Sequence, residues 1–181
     1  MQELSLNVLD VAQNSISAGA SLIEISVTES TAERSMTVMI KDNGCGMTPE
    51  QVRNVTDPFY TTRTTRKVGL GVPLFKMACE MTGGSFTIDS AVGEGTTVKA
   101  EFRTDSIDCL PLGDMEETVY ALVTLNCGID FVYSDTIDGR TFLLDTREFR
   151  EILGEVPFNQ PDVAEFIRDY LKENSVRTNN T

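Results

Sequence analysis

Histidine and tryptophan are both absent from this sequence of 181 residues. Without histidine, the chain cannot supply a Ser-His-Asp triad, a Cys-His dyad, an HExxH zinc site or a phosphohistidine. The dipeptide Gly-Lys does not occur, which excludes the GxxxxGK[ST] phosphate-binding loop, and the HRD signature of protein kinases is missing. These absences exclude several large classes of catalytic and nucleotide-binding proteins.

Cysteines and long apolar runs are also scarce. The four cysteines, Cys45, Cys79, Cys109 and Cys127, contain no CxxC pair, which favours reduced thiols over a structural metal site. The longest stretch without a charged residue, Val11 to Ile23, has 13 residues, whereas a membrane span needs about 20. No secretory signal pattern is visible. We therefore expect a cytoplasmic protein without a membrane partner.

Acidic residues outnumber basic ones by 28 to 15, which gives a net charge of −13. Such a chain repels phosphate backbones, so a nucleic-acid partner is not expected. Residues 1–104 hold nine basic and twelve acidic residues, whereas residues 105–181 hold six and sixteen. We predict a boundary near Arg103 to Pro111, with residues 1–104 as one domain and residues 105–181 as an acidic extension.

Apolar recurrence and turn residues predict the secondary structure. Helices are predicted from the 3.6-residue period and capping residues at 3–18, briefly from Thr48, at 73–81, and at 146–153 and 162–173, the last two each with a capping residue at its start. Strands are predicted from alternation and β-branched content at 22–28, 36–41, 119–126, 130–133 and 140–144, with 85–102 as a hairpin. Residues 57–68 are predicted as a mobile loop.

A polar stripe follows one face of the first predicted helix, where Glu3, Asn7, Asp10, Asn14 and Ser17 recur at helical spacing. One interpretation is the solvated face of an amphipathic helix. The other places Asp10 and Asn14 against a ligand. A carboxylate can orient or deprotonate water, and an amide oxygen can coordinate Mg²⁺. This pair suits a nucleotide triphosphate.

The segment Asp42-Asn43-Gly44-Cys45-Gly46-Met47 follows a predicted strand. It is either an ordinary turn or a place where glycines let the backbone approach a flat ligand. In the second case the Asp42 carboxylate accepts a hydrogen bond from an exocyclic amine, and Met47 helps to cover a base.

A second glycine-rich segment lies where a loop becomes a helix, at Gly69 and Gly71. Helix N-termini offer free amides to phosphate, and the basic residues Arg63, Arg66 and Lys67 precede them in the sequence. A solvated loop is the alternative interpretation. The later Gly93-Glu94-Gly95-Thr96 is typical of a hairpin turn.

In their order and spacing these segments resemble the motifs of the GHKL ATPases, the Bergerat-fold superfamily that contains DNA gyrase, the heat-shock chaperone, histidine kinases and the mismatch-repair protein MutL. The resemblance covers about residues 3–104. DVAQNSISAGASLIEI is similar to the N box and DNGCGM to the first glycine box. DPFYTTR and VGLGVPLFK look like the phenylalanine box, ATP lid and second glycine box, and GEGTT resembles the final box.

The resemblance implies an α/β (α+β) two-layer sandwich, a mixed and mostly antiparallel sheet with helices on one face, followed by a small α+β C-terminal extension. It implies ATP and Mg²⁺ as cofactors. Asn14 would coordinate the metal, Asp10 falls at the position of the general base, and Asp42 would bond the adenine amine. The implied cofactor-binding residues are Asn14, Asp42, Gly44, Gly46, Met47, Thr62, Arg63, Lys67, Gly69, Leu70, Gly71 and Thr96.

The function that the resemblance implies is a Mg²⁺-dependent ATP-binding regulatory protein that acts on or signals to a partner protein. Asp10 is one methylene shorter than the family's usual glutamate, which leaves open whether ATP is hydrolysed, used for phosphoryl transfer or only sensed. An anti-sigma-type serine protein kinase and a non-catalytic nucleotide sensor are the two alternatives. Lacking histidine, the chain cannot phosphorylate itself on histidine.

One further expectation concerns the sheet edge. In the family a strand normally precedes the N-box helix, yet here that helix begins almost at residue 3, which leaves a strand edge to be covered. We predict that a strand between Val119 and Leu144 covers it, either in cis or from a second subunit of a homodimer.

Overall fold

The computed structural model describes residues 2–59 and 70–177. The helices in chain order are α1 (Leu4–Ser17), α2 (Pro49–Val55), α3 (Gly71–Met81), α4 (Met115–Leu125), α5 (Thr146–Leu153) and α6 (Pro161–Asn174). The strands are β1 (Leu22–Ser30), β2 (Ser35–Asp42), β3 (Ser85–Ala91), β4 (Gly95–Arg103), β5 (Asp130–Ile137) and β6 (Arg140–Asp145).

All six strands belong to one sheet, in the order β3-β4-β2-β1-β5-β6. Every neighbouring pair is antiparallel except β1 and β5, which are parallel. Alternate side chains of β1, such as Ile23 and Ile25, are buried, whereas Glu24 and Ser26 between them remain partly exposed. One face of the sheet therefore packs against helices and the other meets solvent. The predicted two-layer, mixed and mostly antiparallel architecture is confirmed.

The elements predicted for the first hundred residues are confirmed. The first helix, the β1–β2 hairpin and the β3–β4 hairpin lie where alternation and apolar recurrence put them. Helix α2 begins with a capping box, because the Thr48 hydroxyl accepts from the Gln51 amide while the Gln51 side chain accepts from the Thr48 amide. Helix α3 ends before Gly83, which adopts a φ of 81°.

One strand prediction in the extension is wrong. Residues 119–126 belong mostly to helix α4, which begins at Met115 and ends at Leu125. The Asp114 carboxylate accepts from the Glu117 amide over 2.9 Å and caps the helix. The apolar side chains of Met115, Val119 and Leu122 recur at helical spacing and are buried. This 3.6-residue period prevails over the β-branched content that favoured a strand.

The other extension elements follow the prediction, apart from one cap. Strands β5 and β6 and the turn at Asp138 and Gly139 are confirmed. Helix α5 is capped by Asp145, whose carboxylate accepts from the Arg147 amide over 3.0 Å. The predicted capping residue of α6 is wrong, because its N-cap Gln160 makes no side-chain cap and the helix instead begins at Pro161.

The strand that covers the edge of β1 comes from the same chain. Strand β5 pairs with β1 from Leu22 opposite Asp130 to Glu29 opposite Ile137. The prediction of a covering strand is therefore confirmed in its cis form.

Residues 105–177 also pack on the first helix. The amides of Leu4 and Ser5, at the start of α1, donate to the carbonyls of Pro111 and Leu112 over 3.0 and 2.8 Å. These bonds satisfy two of the amides that every helix N-terminus leaves free. Helix α4 contacts α1 and α6, and buried side chains from both parts of the chain form one core cluster. In the described residues, no helix is long and apolar enough to span a membrane.

Candidate functional site

A cavity of about 280 Å³ opens between α1, α2, the start of α3 and the adjoining ends of β2 and β4. Its wall is mostly apolar, formed by Val11, Ile40, Val55, Val72, Ile88 and Val98. The polar side chains that reach it belong to Asn14, Ser15, Asp42, Gln51 and Thr96. An apolar slot with a few convergent polar groups is typical of a small-molecule site.

The Asp42 carboxylate lies at the polar end of this cavity, where β2 ends. It is 7% exposed. Its Oδ2 atom accepts from the Ser15 hydroxyl over 2.6 Å, and its Oδ1 atom accepts from the Gly44 amide over 2.9 Å. A carboxylate offers about four lone-pair sites, so two acceptor sites remain for a ligand. The position is rigid because both bonds are charge-assisted.

The loop after β2 is held by its own polar groups. The Asn43 side chain accepts from the amides of Ser21 and Leu22 over 2.9 and 3.0 Å. The Cys45 amide donates to the Ala18 carbonyl over 2.9 Å, and the Cys45 carbonyl accepts from the Gly93 amide over 2.8 Å. The loop is therefore tied both to the end of α1 and to the β3–β4 turn.

Two glycines are required where this loop meets the β3–β4 hairpin. Gly46 has a φ of 71°, and a Cβ there would lie 1.9 Å from the Ala91 carbonyl oxygen. Gly95 has a φ of 114°, and a Cβ there would lie 2.0 Å from the Asp42 carbonyl oxygen. Both the left-handed backbone and the close approach exclude a side chain.

A hydroxyl network continues the polar end across the sheet. Thr96 lies opposite Asp42 on β4, and Ser90 lies opposite Thr96 on β3. The Ser90 oxygen is 2.8 Å from the Thr96 hydroxyl oxygen and accepts from the Met47 amide over 2.8 Å. Met47, which also lines the cavity, is positioned by this bond.

Asn14 and Asp10 occupy different places although they lie one turn apart on α1. Asn14 lines the cavity, and its side-chain amide has no hydrogen bond to another described residue. Asp10 is exposed and is not among the described residues that line the cavity. A Cβ at Gly71 would lie 3.1 Å from the Asp10 Cβ, so α3 begins against Asp10.

The remaining predicted residues are distributed as follows. Gly44 lies close to Asp42 and Ala18, and a Cβ there would be 2.9 Å from the Ala18 carbonyl oxygen. Leu70 is 48% exposed at the start of α3 and does not line the cavity. Thr62, Arg63, Lys67 and Gly69 lie outside the described residues, as does most of the predicted mobile loop.

Sequence reasoning missed Gln51 of the α2 capping box and two serine hydroxyls of the site. Ser15 lies on the apolar face of α1, between the buried Val11 and Ala12 and the partly buried Ile16. Ser90 continues the inward alternation of Phe86 and Ile88 on β3. A hydroxyl at an otherwise apolar position is the signal that would have found each serine.

Magnesium was predicted at Asn14, and the donor chemistry there fits a hard cation. The uncommitted Asn14 amide supplies an oxygen, and Mg²⁺ usually takes one or two protein ligands and completes its shell with water and phosphate oxygens. The described residues contain no group of three or more Cys, Asp or Glu side chains that could hold a metal by themselves.

Known proteins share this sequence pattern and fold. Residues 1–106 match the family described as "Histidine kinase-, DNA gyrase B-, and HSP90-like ATPase". Sensor protein SrrB of Staphylococcus aureus (strain NCTC 8325 / PS 47) is 37% identical over 102 residues, which are 54% of this chain but only 17% of SrrB.

Two solved structures share the fold. The N-terminal domain of a DNA repair protein has a TM-score of 0.56 and 17% identity, over 80% of this chain and 53% of that one. The Aquifex aeolicus MutL ATPase domain complexed with ADP has a TM-score of 0.50 and 13% identity, over 93% of this chain and 88% of that one. The family match, which covers more than half of the sequence, shows that the chain belongs to the histidine kinase-, DNA gyrase B- and HSP90-like ATPases.

Proposed function

We propose that the protein binds Mg²⁺-ATP in the cavity and, in its nucleotide-bound form, acts on or signals to a partner protein. The observation that carries this proposal is the buried Asp42 carboxylate, held as an acceptor at the end of an apolar slot. Such a carboxylate pairs with an exocyclic amine while the apolar wall covers the faces of a base.

Other residues bind the metal ion and the phosphates of the nucleotide in this proposal. Asn14 holds Mg²⁺, which neutralises phosphate charge when bound. The phosphates lie toward the start of α3, where Gly71 and Val72 supply helix amides, whereas Pro73 has no N–H and the Leu74 amide donates to the Leu70 carbonyl. Thr62, Arg63, Lys67 and Gly69 join this phosphate end in the proposal, on the strength of their motif.

The compartment is proposed as the cytoplasm. All four cysteines are free, including the exposed Cys45, which suits a reducing environment.

Calorimetry with ATP in the presence and absence of Mg²⁺ tests the binding proposal. Asp42→Asn should weaken ATP binding at least about tenfold, because a charge-assisted bond is lost. Asn14→Ala should abolish the difference between the titrations with and without Mg²⁺. The matched controls are Asp89→Asn and Gln13→Ala. They change exposed residues on the same sheet as Asp42 and on the same helix as Asn14, and both variants should bind ATP like the wild type. Equal binding by all four variants would refute the proposed site.

One observation favours a nucleotide sensor as the second candidate function. Asp10 lies against Gly71 at the proposed phosphate end, but it is exposed and no other described residue holds its carboxylate in the orientation that a base for water needs. Phosphate release by the wild type and by Asp10→Ala separates the two candidates. A clear rate that falls in Asp10→Ala supports an ATPase with Asp10 as base, and equal near-zero rates support the sensor.

A further inference from the structure

We propose that Ser90 determines the base selectivity of the cavity by fixing the direction of the Thr96 hydroxyl proton. This inference rests on the proposed nucleotide site and adds to it a preference for 6-aminopurines over 6-oxopurines. Ser90 is a positioning residue in this account, because it lies behind Thr96 and acts through it.

The argument begins with the row that Asp42, Thr96 and Ser90 form across three neighbouring strands. The pairing of β2 with β4 puts Asp42 opposite Thr96, and the pairing of β4 with β3 puts Thr96 opposite Ser90. Asp42 and Thr96 line the cavity. Directly opposed residues carry their side chains on the same face of a sheet, so the three polar groups are consecutive.

The Ser90 hydroxyl has three neighbours and one proton. The Met47 amide, 2.8 Å away, can only donate, and the Gly95 carbonyl, 3.0 Å away, can only accept. The Ser90 proton is therefore taken by Gly95. The third neighbour is the Thr96 hydroxyl at 2.8 Å, for which either oxygen could be the donor. With the Ser90 proton already used, Thr96 must donate to Ser90.

Matching donors to acceptors around Asp42 shows that it, too, presents acceptor atoms to the cavity. Its two partners, the Ser15 hydroxyl and the Gly44 amide, are both donors. Asp42 therefore directs lone pairs at the cavity, and so does Thr96 once its proton points at Ser90. Asp42 and Thr96 then form a pair of acceptors side by side in the cavity wall.

A pair of acceptors discriminates at position 6 of a purine. The 6-amino group of ATP has two protons to donate to such a pair. ITP offers a single proton at this edge, on N1, beside a 6-oxo group that has only lone pairs, so at least one of Thr96 and Asp42 is left facing another acceptor. Polar groups that lose their water on binding and find no new partner discriminate strongly against a ligand that is otherwise similar.

The experiment compares ATP, ITP and purine riboside triphosphate, which lacks any substituent at position 6, by calorimetry on the full chain. For the wild type we expect ATP to bind more tightly than either of the other two nucleotides, with ATP favoured over ITP by at least about 30-fold. This series needs no variant. If ITP binds as well as ATP, Thr96 and Asp42 do not act as a pair of acceptors and the inference is overturned.

Ser90→Ala supplies the sharper test. With no acceptor at position 90, the Thr96 proton is free to turn toward the cavity and donate to a 6-oxo group. ATP should weaken while ITP tightens, so that their ratio falls about tenfold. A residue with only a structural role would weaken both nucleotides in parallel, and that result contradicts the inference. Ser90→Thr, which keeps the hydroxyl, should restore the wild-type ratio.

Two controls separate the possible failures. Thr96→Val removes the hydroxyl that Ser90 orients, so adding Ser90→Ala to it should leave the ratio unchanged, and a further fall would contradict the inference. Thermal unfolding of each variant identifies any that do not fold, in which case the wild-type series decides. If the wild type binds none of the three nucleotides, the proposed function itself fails. Binding without the expected selectivity refutes only the role of Ser90.

Discussion

The hydroxyl of Ser15 donates to the Asp42 carboxylate between two side chains that are both more than nine-tenths buried. Removing this hydroxyl leaves a buried charge with one protein partner instead of two. Because hydrogen bonds to charged groups contribute about 1.5–3 kcal/mol, we expect Ser15→Ala to lower the free energy of unfolding by roughly 2 kcal/mol, as measured in urea.

The same helix supplies the matched control. Ser17 is exposed two residues further along α1, and Ser17→Ala should change the free energy of unfolding by less than about 0.5 kcal/mol. ATP affinity should also fall in Ser15→Ala, since the Asp42 carboxylate is then free to rotate. Equal stability of the two variants would show that the Ser15 bond contributes nothing.

A second residue-scale prediction concerns Cys79, whose thiol is fully buried on α3. Burial in the core, assisted by the charge of Glu80, raises the pKa of this thiol to about 11. The folded state holds the thiol proton more tightly than the unfolded state does. Its contribution to stability is therefore complete below about pH 9 and is lost as the pH rises from 9 to about 11.

Unfolding in urea at pH 8, 9 and 10 tests this dependence. The free energy of unfolding should fall more steeply with pH in the wild type than in Cys79→Ala, in which the titrating thiol is absent. Cys45→Ala, which removes an exposed thiol, is the matched comparison. Parallel curves for the wild type and Cys79→Ala would contradict the prediction.

At this scale the sequence predicts the residues that carry recognisable chemistry but misses those that orient them. Asn14, Asp42 and Thr96 were predicted and all line the cavity. Ser15 and Ser90 were not, because a serine hydroxyl has a role only through its neighbours, and those neighbours are set by the fold. Asp10 was expected at the reacting end, yet its place depends on how α3 meets α1.

Among elements, the two turns that meet at Gly46 and Gly93 differ sharply in what they tolerate. Both glycines have positive φ, 71° and 82°. A Cβ at Gly46 would meet the backbone of Ala91, whereas a Cβ at Gly93 would have nothing within 4 Å. Left-handed strain alone costs about 1–2 kcal/mol, and a clash with backbone adds to it.

We therefore expect Gly46→Ala to lower the free energy of unfolding by at least about 3 kcal/mol and Gly93→Ala by about 1 kcal/mol. Urea unfolding of the two variants is the measurement. The larger effect should come with weaker ATP binding, because Met47 adjoins Gly46. If the two variants are equally destabilised, the close packing of the two turns is not what makes Gly46 necessary.

Helix α4 shows why one element was predicted as the wrong type. A window over residues 119–126 contains valine, tyrosine, leucine and threonine, which suit a strand. The decisive signals lie further upstream, in the Asp114 cap and in Met115, the first of the buried positions. A window that begins at Val119 leaves out both the cap and the first buried position, and therefore misses the face that α4 packs on α1 and α6.

The whole molecule depends on residues 105–177 to complete the sheet on which the candidate site is built. Arg177 binds the Asp135 carboxylate through two nitrogens, at 2.7 and 2.8 Å, and Glu29 of β1 at 2.8 Å. Burial lowers the pKa of Arg177, but its bonds to Asp135 and Glu29 outweigh that effect and raise the pKa. The charge is therefore kept, and it joins β1 to β5.

The parallel register of β5 against β1 was not predictable in detail, because it joins segments more than a hundred residues apart. Its consequence is testable by truncation. A chain ending at Thr104 loses the strand on β1, the Pro111 and Leu112 carbonyls that cap α1, and the buried side chains of α4. Each fully buried aliphatic or aromatic side chain contributes about 1.5–3 kcal/mol, and a domain has only about 5–15 kcal/mol in total.

We expect the chain ending at Thr104 to aggregate through the exposed edge of β1 and to show no cooperative thermal transition. Co-expression with residues 105–181 as a separate fragment should restore a one-to-one complex that unfolds cooperatively, as measured by light scattering and thermal unfolding. Restoration in trans would show that the missing contacts, not the shorter chain, cause the loss. A soluble truncated chain as stable as the full one would mean that the first domain folds without β5, and that the extension is only docked on it.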